Sequence, residues 1–98
     1  MSAGADKSDK CVLVVDDSAA VRYSVVNIIK STGYEVVEAR DGVEALARAG
    51  QRNPDLIILD YMLPDINGNI MCRTVRQNQR LSHTKVIIVS GLINQNQV

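Results

Sequence analysis

Four short runs of apolar residues alternate along the chain with longer stretches in which apolar residues recur every three or four positions. The runs cover residues 11–15, 34–39, 56–59 and 86–89. Their length and their many β-branched residues predict four β-strands. Three of the runs contain no polar residue, which is typical of strands that are covered on both faces of a parallel sheet.

The stretches between these strands combine helical periodicity with residues that begin and end helices. Ser18 is a candidate N-cap of the first helix, and Gly33 stands where a left-handed C-terminal cap is needed. Asp41 and Glu44 form a D-x-x-E capping pattern before the second helix, and a loop rich in turn residues precedes the third. The positions that mark the three helices are Val21, Val25, Ile28 and Ile29, then Val43, Leu46 and Ala47, and finally Ile70, Met71, Thr74 and Val75.

Alternation of strands and helices predicts an α/β fold with a doubly wound parallel sheet, helices on both faces and right-handed crossovers. Residues 1–10 show no periodicity and predict a flexible N-terminal lead-in to a single domain at residues 11–98. Ligands of such sheets bind beyond the carboxyl ends of the strands, where the strand order reverses. We therefore expect the chemistry of this chain at its strand ends.

Composition and charge exclude several classes of protein. Hydrophobic residues make up 46% of the chain, and eleven basic side chains balance eleven acidic ones. This balance is typical of a folded globular domain and indicates no direct contact with nucleic acid or an anionic membrane. The apolar runs are too short to span a bilayer, and the polar beginning of the chain has no signal-peptide pattern. The sequence predicts a cytoplasmic protein.

The cysteines and the single histidine offer little chemistry. Cys11 and Cys72 lack C-x-x-C spacing, so we expect reduced, partly buried thiols. His83 lies in a polar stretch and is predicted to be a surface loop residue. This argues against His-based metal sites and most forms of Ser-His catalysis.

Polar residues end three of the predicted strands. Asp16 and Asp17 follow the first strand, Asp60 follows the third and Ser90 follows the fourth. Taken singly, each also fits a helix cap, a turn or a strand end, but their agreement favours one shared site. Two unit charges 4 Å apart interact by about 4 kcal/mol at an effective dielectric near 20, so clustered carboxylates need a cation.

The ligand types indicate which cation this would be. Carboxylate oxygens without histidine or thiolate favour Mg²⁺, with Mn²⁺ as an alternative. Bound Mg²⁺ commonly bridges to phosphate, and an aspartate can act as a nucleophile through an acyl phosphate. The strand ends therefore predict a metal site suited to phosphoryl chemistry.

Three segments of the chain carry a family resemblance. They read V-L-V-V-D-D-S at 12–18, L-I-I-L-D-Y-M-L-P-D-I-N-G at 56–68, and V-I-I-V-S-G at 86–91. Together they resemble the receiver domains of response regulators in two-component (phosphorelay) signalling, and the resemblance extends over residues 11–91. It implies a flavodoxin-like fold with strand order 2-1-3-4. It also implies a signalling phosphoacceptor that is no enzyme beyond assisting its own phosphotransfer and dephosphorylation.

The resemblance also implies a role for each site residue. Asp60 would accept a phosphoryl group from a histidine kinase or phosphotransfer protein. Asp17 would bind Mg²⁺ directly, Asp16 largely through water, and Met62 through its backbone carbonyl. Ser90 would supply the hydroxyl that turns toward the phosphoryl group, switching a partner-binding face.

The chain departs from the receiver pattern after the fourth strand. Receivers usually continue with a fourth helix, a fifth strand ending in lysine and a fifth helix, whereas only residues 92–98 follow here. Lys85 precedes the fourth strand and cannot replace that lysine. A truncated chain, a homodimer or swapped dimer that completes itself, and a degenerate receiver all fit. The alternative function is thus a phosphorylation-independent dimerisation or interaction module.

Two other phosphate-binding families fit less well. Haloacid-dehalogenase-like phosphatases need D-x-D, whereas Asp60 is followed by Tyr61 and Met62. Dinucleotide-binding domains need a glycine-rich turn after the first strand, where this chain has two aspartates and a serine.

Overall fold

A computed structural model describes residues 9–89 of the chain. Its elements are β1 (Cys11–Val15), α1 (Ala19–Ser31), β2 (Glu35–Ala39), α2 (Gly42–Arg52), β3 (Leu56–Asp60), α3 (Gly68–Gln77), a short 3-10 helix (Gln79–Leu81) and β4 (Lys85–Val89). All predicted strands and helices are present within a few residues of the expected bounds. The 3-10 helix was not predicted. Residues 1–8 of the expected lead-in, and Ser90, lie outside the described residues.

The four strands form one parallel sheet in the order β2-β1-β3-β4, which confirms the predicted fold class. Leu13 of β1 lies opposite Val37 of β2 and Ile57 of β3. The chain moves outward from β1 to β2 and then crosses back to β3 on the other side of β1. The strand order therefore reverses between β1 and β3, the position at which ligands bind in sheets of this kind.

Helices cover both faces of the sheet at β1 and β3, as their apolar runs predicted, whereas Ile87 and Val89 of the edge strand β4 are 50% and 46% exposed. Successive side chains of a strand point to opposite faces, so β1 contributes to two separate buried clusters. On one face Leu13 packs in a cluster with Ala45 of α2 and Met71 of α3. On the other, Val14 packs in a cluster with Val26 of α1. No helix within residues 9–89 has the length and apolar character needed to cross a membrane.

The buried face of α1 differs from the predicted one. Val25 and Ile29 pack against the sheet as expected, but the buried residue of α1 is Val26, which the periodicity did not single out. Val21 is 44% exposed and Ile28 is 64% exposed. Because a helix turns about 100° per residue, Val25, Val26 and Ile29 share one arc, and the other two positions lie beside it.

The ends of the helices match their predicted caps. The Ser18 hydroxyl accepts a hydrogen bond from the first turn of α1, and Gly33 adopts a positive φ of 98° just beyond its end. The Asp41 carboxylate accepts from the Glu44 N–H at 2.8 Å, and the Glu44 carboxylate accepts from the Arg40 N–H at 2.9 Å. These caps satisfy backbone groups that the helices leave unpaired.

Candidate metal centre

Three carboxylates meet beyond the carboxyl ends of β1 and β3, and we call them the acidic cluster. Asp16 and Asp17 follow β1, and Asp60 is the last residue of β3. Each side chain offers an oxygen, and these oxygens all lie within 4.8 Å of one another. Asp17 is exposed, whereas the other two are partly buried. The structure thus brings together the three acids that the strand ends had indicated.

The pairing of the strands places the acidic cluster. Val15 of β1 lies opposite Leu59 of β3, so the residues that follow them, Asp16 and Asp60, end neighbouring strands at the same level. The Asp16 N–H also donates to the Ala39 carbonyl at 3.1 Å, which extends the pairing of β1 with β2 by one residue. The sheet itself therefore fixes the backbone beneath two of the three carboxylates.

Arg22 of α1 holds the loop that carries Asp16. Its Nη1 donates to the Asp16 backbone carbonyl at 2.7 Å, and its Nε donates to Glu38 of β2 at 3.0 Å. The Asp16 carboxylate in turn accepts from the Ser18 N–H at 2.9 Å. The sequence did not indicate this role of Arg22, because a single arginine on a helix gives no sign of which strand or loop it will contact.

Met62 lies next to the predicted phosphoacceptor. Its N–H donates to the Asp60 carboxylate at 3.2 Å, and the residue is 67% exposed. Met62 also forms an isolated antiparallel bridge with Asn67. The backbone after β3 therefore turns back on itself beside Asp60, which keeps Met62 at the acidic cluster.

The electrostatics of the cluster show the predicted repulsion. Burial raises the pKa of Asp16, and the neighbouring charges of Asp60 and Asp17 raise it further. The hydrogen bond from the Ser18 N–H and the charge of Arg22 oppose these effects without cancelling them. Ionised Asp16 is thus held at a cost, which a cation among the three carboxylates would offset.

The donor set fits Mg²⁺ or Mn²⁺. All three side chains of the cluster offer hard carboxylate oxygens, and no cysteine or histidine belongs to it. Ligands on opposite sides of a Mg²⁺ ion lie about 4.2 Å apart, given metal–oxygen distances of about 2.1 Å. Oxygens within 4.8 Å of one another therefore need only a small side-chain movement, or one intervening water, to bind such an ion.

We predict that an Asp16→Asn variant is more stable than the unchanged chain at neutral pH without divalent cations. Because the folded pKa of Asp16 is raised, the folded state binds the proton more tightly, and stability falls as the pH rises through that pKa. Asparagine removes this cost and keeps an oxygen for the Ser18 N–H. The expected gain is at most about 1 kcal/mol for this partly solvated group, or up to roughly 4–8 °C in Tm.

Thermal unfolding in EDTA between pH 4 and pH 8 measures this effect. The difference between the variant and the unchanged chain should shrink toward acidic pH. Asp9→Asn, an exposed acid at the opposite end of β1, is the matched control and should change Tm little. An Asp16→Asn variant that is less stable than the unchanged chain across the whole pH range would contradict the prediction.

The two cysteines and His83 lie away from the acidic cluster, in line with the little chemistry expected of them. Cys11 is buried and Cys72 half-buried, and both are free thiols. His83 is exposed in the segment before β4 and lines a shallow groove of about 290 Å³ with Arg76 and Lys85. This groove contains none of the predicted site residues, so the concave surface at the start of β4 and the predicted chemistry are separate.

Comparison with known sequences gives consistent relatives. The sequence model of a protein family, the response regulator receiver domain, matches residues 12–98. Protein PilG of Pseudomonas aeruginosa is 34% identical over 80 residues, which cover 82% of this chain and 59% of PilG. The polar-differentiation response regulator DivK of Brucella ovis is 33% identical, with 84% and 67% covered. The alkaline phosphatase synthesis transcriptional regulatory protein PhoP of Bacillus subtilis is 41% identical, with 72% and 30% covered.

The chain thus spans only 59% of PilG and less than a third of PhoP. Solved structures agree with the sequence comparison. The chemotaxis response regulator CheY4 of Vibrio cholerae superposes with a TM-score of 0.78 at 33% identity, covering 90% of this chain and 75% of CheY4. The receiver domain of the hybrid histidine kinase CckA gives 0.76 at 35% identity, covering 86% and 78%.

Proposed function

The chain belongs to the response regulator receiver family of two-component signalling, and from this premise we propose that Asp60 is its phosphoacceptor. Receiver domains are signalling modules that interact with histidine kinases or phosphotransfer proteins. The observation that carries the proposal is the acidic cluster, whose oxygens lie within 4.8 Å of one another where the strand order reverses. An aspartate at this place can receive a phosphoryl group beside a bound cation.

In the proposed reaction a carboxylate oxygen of Asp60 attacks the phosphorus of a phosphohistidine. The new bond makes an acyl phosphate on Asp60, and the phosphorus–nitrogen bond breaks to release the donor imidazole. Asp17 and Asp16 would hold Mg²⁺ together with Asp60 and the backbone carbonyl of Met62. When bound, Mg²⁺ supplies positive charge that offsets the carboxylates and the incoming phosphoryl group.

The position of Asp60 also supports a route by which phosphorylation is transmitted. Asp60 pairs with Val89, the last described residue of β4, and the Tyr61 N–H donates to the Val89 carbonyl at 3.0 Å. Ser90 follows Val89 in the sequence. We propose that the Ser90 hydroxyl turns toward the phosphoryl group and switches a partner-binding face near the ends of β3 and β4.

The proposal is tested by incubating the chain with acetyl phosphate and Mg²⁺ and measuring its intact mass. We expect a gain of one phosphoryl group, suppressed when EDTA removes the cation. An unchanged mass under conditions that label an intact receiver would refute phosphoacceptor activity. A dimer or partner complex of equal affinity with and without acetyl phosphate would favour the alternative of a phosphorylation-independent interaction module.

A further inference from the structure

We propose that Asp65 is a positioning residue, which ties the loop after β3 to the amino end of α2 and thereby holds Met62 beside Asp60. The segment concerned is residues 61–67, which we call the β3–α3 loop. Nothing in the sequence pattern indicated this role, because Asp65 lies in a stretch read only as a loop. The effect expected on Mg²⁺ binding rests on the proposed function, whereas the structural tie does not.

The tie uses both oxygens of the Asp65 carboxylate. Oδ1 accepts from the Gly42 N–H at 2.8 Å, and Oδ2 accepts from the Val43 N–H at 2.9 Å. These are the first two N–H groups of α2, which no helical carbonyl can satisfy. A carboxylate is favoured at this positive end of the helix. The hydrogen bond from Gly42 and then that from Val43 lower the pKa of Asp65, so the charged tie persists at neutral pH.

A close fit accompanies the hydrogen bonds. A Cβ atom on Gly42 would lie 2.9 Å from the Cβ of Ile66, so only glycine leaves room for the loop to approach α2 this closely. Ile66 also packs against the buried cluster of the α2 and α3 face. The tip of the loop is therefore held by two consecutive residues, one through charge and one through packing.

The other end of the loop is closed beside the acidic cluster. The Gly68 N–H donates to the Tyr61 carbonyl at 3.1 Å, and Met62 bridges to Asn67. The Met62 N–H donates to Asp60 at 3.2 Å. The loop is short, and it is held both at its tip and where its two ends meet. A displacement of the tip should therefore also displace Met62. Asp65 would thus act on the metal site through the backbone, without touching the ion.

Asp41 provides a matched control for this role. Its carboxylate accepts from the Glu44 N–H at 2.8 Å, so it caps the same end of α2 as Asp65 does. That hydrogen bond stays within the helix and does not reach the β3–α3 loop. Loss of Asp41 should therefore weaken α2 while leaving the loop tied, and loss of Asp65 should release the loop.

The first experiment compares Asp65→Ala and Asp41→Ala with the unchanged chain by hydrogen exchange and by calorimetric titration with Mg²⁺. We expect Asp65→Ala to speed amide exchange in residues 61–67 and to weaken Mg²⁺ binding measurably. The loss should stay below the about tenfold typical of residues that hydrogen-bond a metal ligand directly, because Asp65 acts through the loop. Asp41→Ala should lower Tm but leave both the exchange of this loop and the Mg²⁺ affinity unchanged.

A second pair of variants keeps the test independent of folding losses. Asp65→Asn retains one acceptor oxygen but turns its NH₂ group toward one of the two N–H donors. Its Mg²⁺ affinity should therefore fall between those of Asp65→Ala and the unchanged chain. Gly42→Ala leaves the carboxylate in place and displaces Ile66, and should reproduce the loss seen in Asp65→Ala.

Two results would overturn the inference: loop exchange in Asp65→Ala equal to that of the unchanged chain, or equal weakening of Mg²⁺ binding by Asp41→Ala. Failure of the proposed function gives a different pattern. In that case the unchanged chain binds no Mg²⁺ and takes up no phosphoryl group, while the faster exchange of the loop in Asp65→Ala still supports the tie.

Discussion

An Asp60→Asn variant should take up no phosphoryl group from acetyl phosphate in the presence of Mg²⁺, whereas the unchanged chain gains one. The amide of asparagine has no carboxylate oxygen to form an acyl phosphate, so the expected loss is complete. The substitution keeps the size of the side chain and an oxygen for the Met62 N–H, which donates to Asp60 at 3.2 Å. It also removes one of the charges that raise the pKa of Asp16. The fold should therefore be retained.

Intact-mass measurement after a fixed incubation gives the result, and thermal unfolding confirms that the variant is folded. Asp9→Asn is the control for loss of an acid remote from the site and should be labelled like the unchanged chain. Asp17→Asn keeps the acceptor but loses a predicted metal ligand, so its labelling should be slower and need more Mg²⁺. Labelling of Asp60→Asn to the normal extent would place the acceptor elsewhere in the chain.

Replacing Ile57 with alanine should lower the stability of the fold more than any of the other substitutions. Ile57 is 0% exposed and lies in β3 between Leu13 of β1 and Val86 of β4. Truncation of such a side chain typically costs about 2–5 kcal/mol, a large part of the roughly 5–15 kcal/mol by which a domain is stable. At about 4–8 °C per kcal/mol, Tm should fall by roughly 10 °C or more.

Ile87→Ala is the matched control, because Ile87 is the same residue type on the neighbouring strand but is 50% exposed. Its loss should stay below about 1 kcal/mol. Urea or thermal unfolding of both variants measures the difference. Equal losses would show that the buried cluster around Ile57 contributes less than its burial implies. Because Asp60 lies three residues after Ile57, Ile57→Ala should also reduce phosphorylation at temperatures where it begins to unfold.

Much of the fold could be predicted from local pattern, since each element has a strong local cause. Uninterrupted apolar runs predicted β1 and β3, the inner strands of the described sheet, but an equally apolar run formed β4 at its edge, where Ile87 is 50% exposed. The caps at Ser18 and Asp41 marked where α1 and α2 begin. The acidic cluster could be anticipated for a general reason. The carboxyl ends of parallel strands share one edge, so acids that end β1 and β3 must lie close together. The strand order itself came from the family resemblance.

The features that the sequence did not reveal depend on contacts between distant segments. On α1, Val26 and Ile28 lie on opposite sides of the direction shared by Val25 and Ile29. Helical periodicity alone does not tell which of the two is buried, because packing against the sheet decides it. Leu81 is buried in a 3-10 helix within a stretch that is otherwise polar. Arg22 and Asp65 act on backbone groups of other elements, and neither periodicity nor a capping pattern records such partners.

The crowding of three carboxylates has a consequence for anyone who sets out to improve this protein. Neutralising one of them is expected to strengthen the apo fold, because burial and mutual repulsion already raise the pKa of Asp16. A library screened for heat resistance alone would therefore enrich changes in the acidic cluster and discard the signalling chemistry proposed for it, a trade-off between stability and activity. Directed evolution of a more thermostable version should keep these three residues unchanged and vary the rest of the chain.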